Sequence, residues 1–173
     1  MAPDSSGPDR TGRAGRTRIH GVIPSGFFAA ASSECRDVFI DGHYYACITL
    51  AQAVAEGLAR FLGDCHRLGA RNDPRRRAAI LQTKDIVSKK ALDAFLRIWG
   101  NDRNAFHHLN RDIPTDHSEL ERRAEECVNS LFDIESEVFE FAITDGKIVP
   151  KKSEYWPMLD QAHLAVFLRL DGR

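Results

Sequence analysis

The chain has 173 residues, 43% hydrophobic and 28% charged, enough to bury a single-domain core without disulfides or metals as staples. Twenty-four basic and 25 acidic side chains leave a formal net charge of -1, which excludes a global basic field for nucleic acid but not a local patch. Mean hydropathy is -0.36, and no apolar run approaches the roughly 18 residues a membrane span needs.

Residues 1–20 hold Pro, Gly, Ser and Arg without the apolar stretch of a secretory signal. They read as a disordered leader, made weakly basic by Arg10, Arg13, Arg16 and Arg18. The cysteines, Cys35, Cys47, Cys65 and Cys127, form no CxxC pair, so neither zinc nor any other metal is expected. Reduced thiols in a cytoplasmic protein are the simplest reading.

The first predicted helix covers 26–41, after Pro24 and Ser25 and before Gly42, which is free to take positive φ. The second covers 44–62, where Tyr44, Cys47, Ile48, Ala51, Val54, Ala55, Leu58 and Leu62 recur in steps of three and four. Gly63 is its expected stop. So short a turn makes these two helices antiparallel. Asp73 caps and Pro74 starts a helix over 74–83. Ser88 caps another over 89–99, with Leu92, Phe95, Leu96 and Trp99 on its apolar side.

After the Gly100-Asn101-Asp102 break, a short helix through 109 is expected. The last long helix is predicted over 116–141, with Asp116 and Glu119 in capping-box spacing. Asp145-Gly146 between two β-prone runs signals a hairpin. Residues 164–170 read as a third strand. Tyr155, Trp156 and Pro157 are expected to pack this region onto the helices. The predicted whole is an all-α bundle of four to five helices (21–142) with a small β-containing C-terminal appendage (143–173).

There is no Gly-rich phosphate loop, GxSxG, HExxH or EF-hand loop. One stretch concentrates polar chemistry beside a helix break: Asp102, Arg103, Asn104, then Phe106, His107 and His108. Arg103-Asn104, three residues and His108 resemble the motif of the HEPN superfamily, in which an Arg precedes a His by four to six residues. The order of elements is similar too. Such domains open with two antiparallel helices, the second often beginning Gly-x-Tyr and carrying a mid-helix Glu. Here these are Gly42-His43-Tyr44 and Glu56, and the resemblance covers residues 24–142.

The resemblance implies a helical bundle acting as a metal-independent endoribonuclease that needs no cofactor. The residue types suit that chemistry. RNA carries its own nucleophile, the 2′-hydroxyl. A histidine exchanges protons near neutral pH, and an arginine holds phosphate through a planar fork. Arg103 would bind the phosphate, His108 would act as acid and base, and Asn104 would orient one or the other. Products would be a 2′,3′-cyclic phosphate and a 5′-hydroxyl.

Residues five apart on a helix point about 140° from each other, so Arg103 and His108 converge poorly on one straight helix. A site straddling a helix end answers this, as does the composite site across a homodimer that the family implies. His107 is four residues from Arg103 and rivals His108. Glu56 is placed as a support that pairs with Arg103, or as a solvated helix residue.

A family variant carries a modified Tyr two residues after the His. Asn110 stands there, so that scheme is not expected, although an antitoxin or other defence-system protein remains an expected partner. Arg75, Arg76, Arg77, Lys89 and Lys90 are RNA-contact candidates, or simply a solvated basic face. Two other readings stand beside the nuclease. One is a non-catalytic HEPN module that binds RNA, nucleotide or protein. The other is a metal phosphohydrolase using His107, His108 and Asp102 or Asp112, weakened by the lack of a second ligand motif.

Overall fold

The computed structural model describes residues 9–69, 73–100, 106 and 116–156, and the backbone of 167–168. Among the described residues six helices form a bundle: α1 (Arg10–Arg16), α2 (Gly26–Ile40), α3 (Tyr44–Cys65), α4 (Pro74–Thr83), α5 (Lys89–Trp99) and α6 (His117–Val138). Strands β2 (Phe141–Thr144) and β3 (Lys147–Pro150) form an antiparallel hairpin. A short 3-10 turn follows at Ser153–Tyr155. The mainly helical class and the C-terminal hairpin are those expected from the sequence.

Helix α3 is the hub and touches α2, α4, α5 and α6. Its small residues Ala51, Ala55 and Ala59 are fully buried at successive i+4 positions, which lets neighbouring backbones approach closely. Cys47, Ile48, Leu58 and Leu62 complete the buried face. From α6, Leu120, Ala124, Leu131, Ile134 and Val138 close over it. The α2–α3 turn is a left-handed helix stop at Gly42, with φ of 84°. There the His43 N–H donates to the Val38 carbonyl at 2.8 Å and the Gly42 N–H to the Phe39 carbonyl at 2.9 Å.

Three expectations are corrected. First, the leader is not wholly disordered: residues 10–16 form α1, with Asp9 accepting from the Gly12 N–H at 2.9 Å. Four arginines dock this segment. Buried Arg13 donates Nε–H to the Ile40 carbonyl at 2.8 Å. Arg16 reaches Glu121 and Glu125, and Arg18 reaches Asp133 at 3.4 Å. Asn129 binds both the Arg18 N–H and the Arg16 carbonyl, each at 3.1 Å. Glu121, Glu125, Asn129 and Asp133 are spaced four apart, so one face of α6 presents a ladder of acceptors. Arg10 pairs with Asp41.

Second, Gly63 does not end α3, which continues to Cys65. Arg67 makes the stop instead, at φ 53°. Gly63 is buried where a Cβ would stand 3.3 Å from the Arg77 guanidinium. Third, α6 ends at Val138 rather than near residue 141, because Phe141 opens the hairpin. Asp145 and Gly146 sit at φ 52° and 72°, the two left-handed positions of a tight hairpin turn.

The C-terminal region is less separate than an appendage. Tyr155 and Trp156 are 1% and 2% exposed and belong to the main core. The expected third strand exists as β4 (Phe167–Leu168), but it pairs antiparallel with β1 (Val22–Ile23), not with the hairpin. No described helix is long and apolar enough to cross a membrane.

Candidate functional site

Arg103, Asn104, His107, His108 and Asp102 lie outside the described residues, as do Asn110 and Asp112. Phe106 is the described residue of that stretch. It is helical and 3% exposed. Its ring packs on Tyr45 of α3, centroids 5.8 Å apart, and the Arg123 guanidinium of α6 lies 5.1 Å over it. Phe106 is therefore held between two of the long helices.

The chain enters this region from α5 through Gly100, whose φ of 47° and ψ of -166° suit glycine. The buried Gln52 amide donates to the Ile98 carbonyl near that exit, at 3.5 Å, while its Oε1 has no hydrogen bond among the described residues. Tyr45, Gln52 and Glu56 are spaced seven and four apart on one face of α3. Glu56 is half-buried and pairs with Arg60 at 3.4 Å, and it has a further interaction. It thus sits on the helix face that also carries the Phe106 contact.

Tyr45, Gln52 and Arg123 were not singled out as functional from the sequence. Gln52 left the clearest signal, as a polar side chain inside the apolar stripe of 48, 51, 54 and 55. Arg123 left none, since its partner is set by tertiary packing. Tyr44, expected as core, is 3% exposed and stacks edge-on with His117, centroids 4.9 Å apart.

The basic clusters divide. Arg75 and Arg76 are exposed at the start of α4. Arg77 is not: at 9% exposure it shares a buried face with Pro74, Ala78 and Leu81, the face packed toward α3. It is removed from the row of RNA-facing candidates by its helical phase. Lys89 is exposed but paired with Asp93, and Lys90 with Asp133 at 3.0 Å. Asp133 also faces Arg18 and Arg97, so it balances several cations at once.

Among the described residues, no group of three or more His, Cys, Asp or Glu could hold a metal ion. The four cysteines are free. Cys35 and Cys47 face each other with Sγ atoms 3.7 Å apart in the core. Hydrogen bonding with Cys35, then burial, pushes the Cys47 thiol well up. Burial pushes Cys127 up to about 12. These thiols behave as small core hydrophobes rather than nucleophiles.

Comparison with protein-family models, curated proteins and solved structures found no match to this chain.

Proposed function

We propose that this chain is a HEPN-like endoribonuclease that works without metal, as a homodimer with a composite site. The observation that carries the reading joins sequence to packing. Arg103-Asn104-x3-His108 encloses Phe106, and Phe106 is buried against Tyr45 and Arg123. Arg103 precedes Phe106 by three residues in the sequence and His108 follows it by two. The described anchor, Phe106, packs against the α3 face that also carries Gln52 and Glu56. The α2–α3 pair, the Gly42-His43-Tyr44 turn and the long α6 after the motif also support the resemblance.

In the proposed reaction the substrate 2′-oxygen attacks the adjacent phosphorus and the bond to the 5′-oxygen breaks. His108, or His107, accepts the 2′-hydroxyl proton, and a protonated imidazole supplies the proton that leaves on the 5′-oxygen. Arg103 holds the non-bridging oxygens as negative charge accumulates on them. Asn104 orients the imidazole or the phosphate, and Glu56 supports Arg103. Facing copies of the motif across a two-fold axis answer the poor convergence of residues five apart on one helix. A toxin or anti-phage setting, with an antitoxin or other defence protein as partner, follows from the same resemblance.

Induced expression in bacteria tests this. The wild type is expected to arrest growth and fragment cellular RNA, and His108→Ala to relieve both. Growth and RNA left intact by soluble wild-type protein would favour the non-catalytic module instead.

A further inference from the structure

Helix α1 is held to the bundle by charge more than by apolar packing. It buries one side chain, Arg13, and Ala14 alone adds a partly buried apolar contact to the core. Helix α2, by contrast, buries Phe28, Ala29, Cys35, Phe39 and Ile40. The intrinsic helix propensity of α1 is poor as well. Its seven residues are fewer than an isolated helix needs, and Gly12 and Gly15 lower its stability further. A Cβ added at Gly15 would meet nothing within 4 Å among the described residues, so packing does not require that glycine.

The fastenings are mostly ionic. Arg10 pairs with Asp41, Arg16 with Glu121 and with Glu125, and Arg18, just beyond the helix, with Asp133. These three arginine side chains are 62%, 43% and 55% exposed, so salt screens their pairs. Asn129 and a 3.2 Å hydrogen bond from the Arg36 Nε–H to the Thr17 hydroxyl add to them. Arg13 lies deeper, and its bonding is incomplete. Its Nη2 is buried without a hydrogen-bond partner among the described residues. A desolvated, unsatisfied donor penalises the docked state and not a released one, in which water reaches it.

The chain immediately after this segment is held differently. His20 Nε2 bonds the Phe139 carbonyl at 3.2 Å, and its ring packs edge-on against Phe141, centroids 5.8 Å apart. Val22 and Ile23 are buried and pair with β4. An apolar, hydrogen-bonded anchor therefore begins at His20, whereas residues 9–18 are fastened mainly through exposed charge. Ile19 is the junction between the two.

We propose that residues 9–18 form a charge-operated latch, which undocks from α2 and α6 as one unit, turning about Ile19, while the rest of the bundle stays folded. Rising ionic strength opens it, because screening weakens the ion pairs and leaves the apolar core intact. Opening bares Glu121, Glu125 and Asn129 on α6 and frees Arg10, Arg13, Arg16 and Arg18 together. The latch does not rest on the ribonuclease reading.

Hydrogen exchange of the full chain, read by mass spectrometry at neutral pH, tests the latch. Between about 0.1 M and about 1 M KCl the Debye length contracts from about 10 Å to about 3 Å. The amides of residues 10–18 should then exchange about tenfold faster or more, with those of α3 unchanged. Glu121→Gln combined with Glu125→Gln should give the fast exchange already at about 0.1 M, again with α3 protected. Gly15→Ala, which touches none of the ion pairs, should slow exchange about threefold by favouring the helix. The proposal is overturned if residues 10–18 stay equally protected at both salt concentrations, or exchange freely at both. It is equally overturned if they lose protection only together with α3, if the double variant exchanges like the wild type, or if Gly15→Ala does not slow exchange.

Discussion

The Arg16 guanidinium lies 2.7 Å from the Glu125 carboxylate, a contact that ties α1 to α6 across 109 residues of chain. The same guanidinium binds Glu121 one helical turn away and lies 5.8 Å over the Phe39 ring. With Arg13 and Arg18 it makes the basic start of the chain part of the packed structure. Arg13 is the deepest member, so Arg13→Ala leaves the Ile40 carbonyl without its partner and is expected to cost about 2 kcal/mol. A shift of the urea midpoint checks this, and an unshifted midpoint would mean that α1 contributes nothing to folding.

The clamp has a pH signature. Burial opposes ionisation of Glu121, but the Arg16 guanidinium bound to it outweighs that and holds the carboxyl below its usual range. A depressed folded pKa stabilises in full above the unfolded value of about 4.3 and is lost as pH falls through the lower folded value. Glu121→Gln should therefore flatten the acid limb of stability against pH below about 4.3. A slope identical to wild type would contradict the assignment.

Asp133 is 10% exposed and balances Arg18, Lys90 and Arg97. Asp133→Ala removes the shared partner of three cations that are at least 40% exposed and should cost about 1 kcal/mol. Lys90→Ala removes a cation that is 70% exposed and should change stability by no more than about 0.5 kcal/mol. Chemical denaturation of both variants gives the comparison. Equal losses would mean that Asp133 is not the hub.

Thiol reactivity reads the core directly. Cys65 is exposed, while Cys35, Cys47 and Cys127 are buried. A disulfide reagent at pH 8 should titrate one thiol quickly, and Cys65→Ser should abolish that phase. The other three should react only in denaturant. Rapid reaction of three or four thiols would contradict the packing of α2, α3 and α6.

Local pattern carried much of this fold. The stripe of α3, the caps at Asp73, Ser88 and Asp116 and the Asp145-Gly146 turn act within a few residues, so the sequence displays them. The docking of α1 was not legible, because Arg13 and Arg16 meet partners 27 and more than 100 residues away. Seen alone, those arginines resemble a solvated basic tail. The stop at Arg67 was hidden by Gly63, which serves the passage of Arg77 instead. The strand pair Val22–Ile23 with Phe167–Leu168 is too short to carry a period. At the candidate site, sequence supplied the motif and structure supplied the anchor at Phe106. Gln52 and Arg123 needed tertiary contacts to be seen.

The central claim is the chemistry of Arg103 and His108. Its most direct test is cleavage of an end-labelled structured RNA in EDTA, wild type beside Arg103→Ala and His108→Ala, with the new ends identified. The account predicts chelator-resistant cleavage that leaves a 2′,3′-cyclic phosphate and a 5′-hydroxyl and is lost in both variants. Cleavage that disappears in EDTA, or that survives both substitutions, would contradict it.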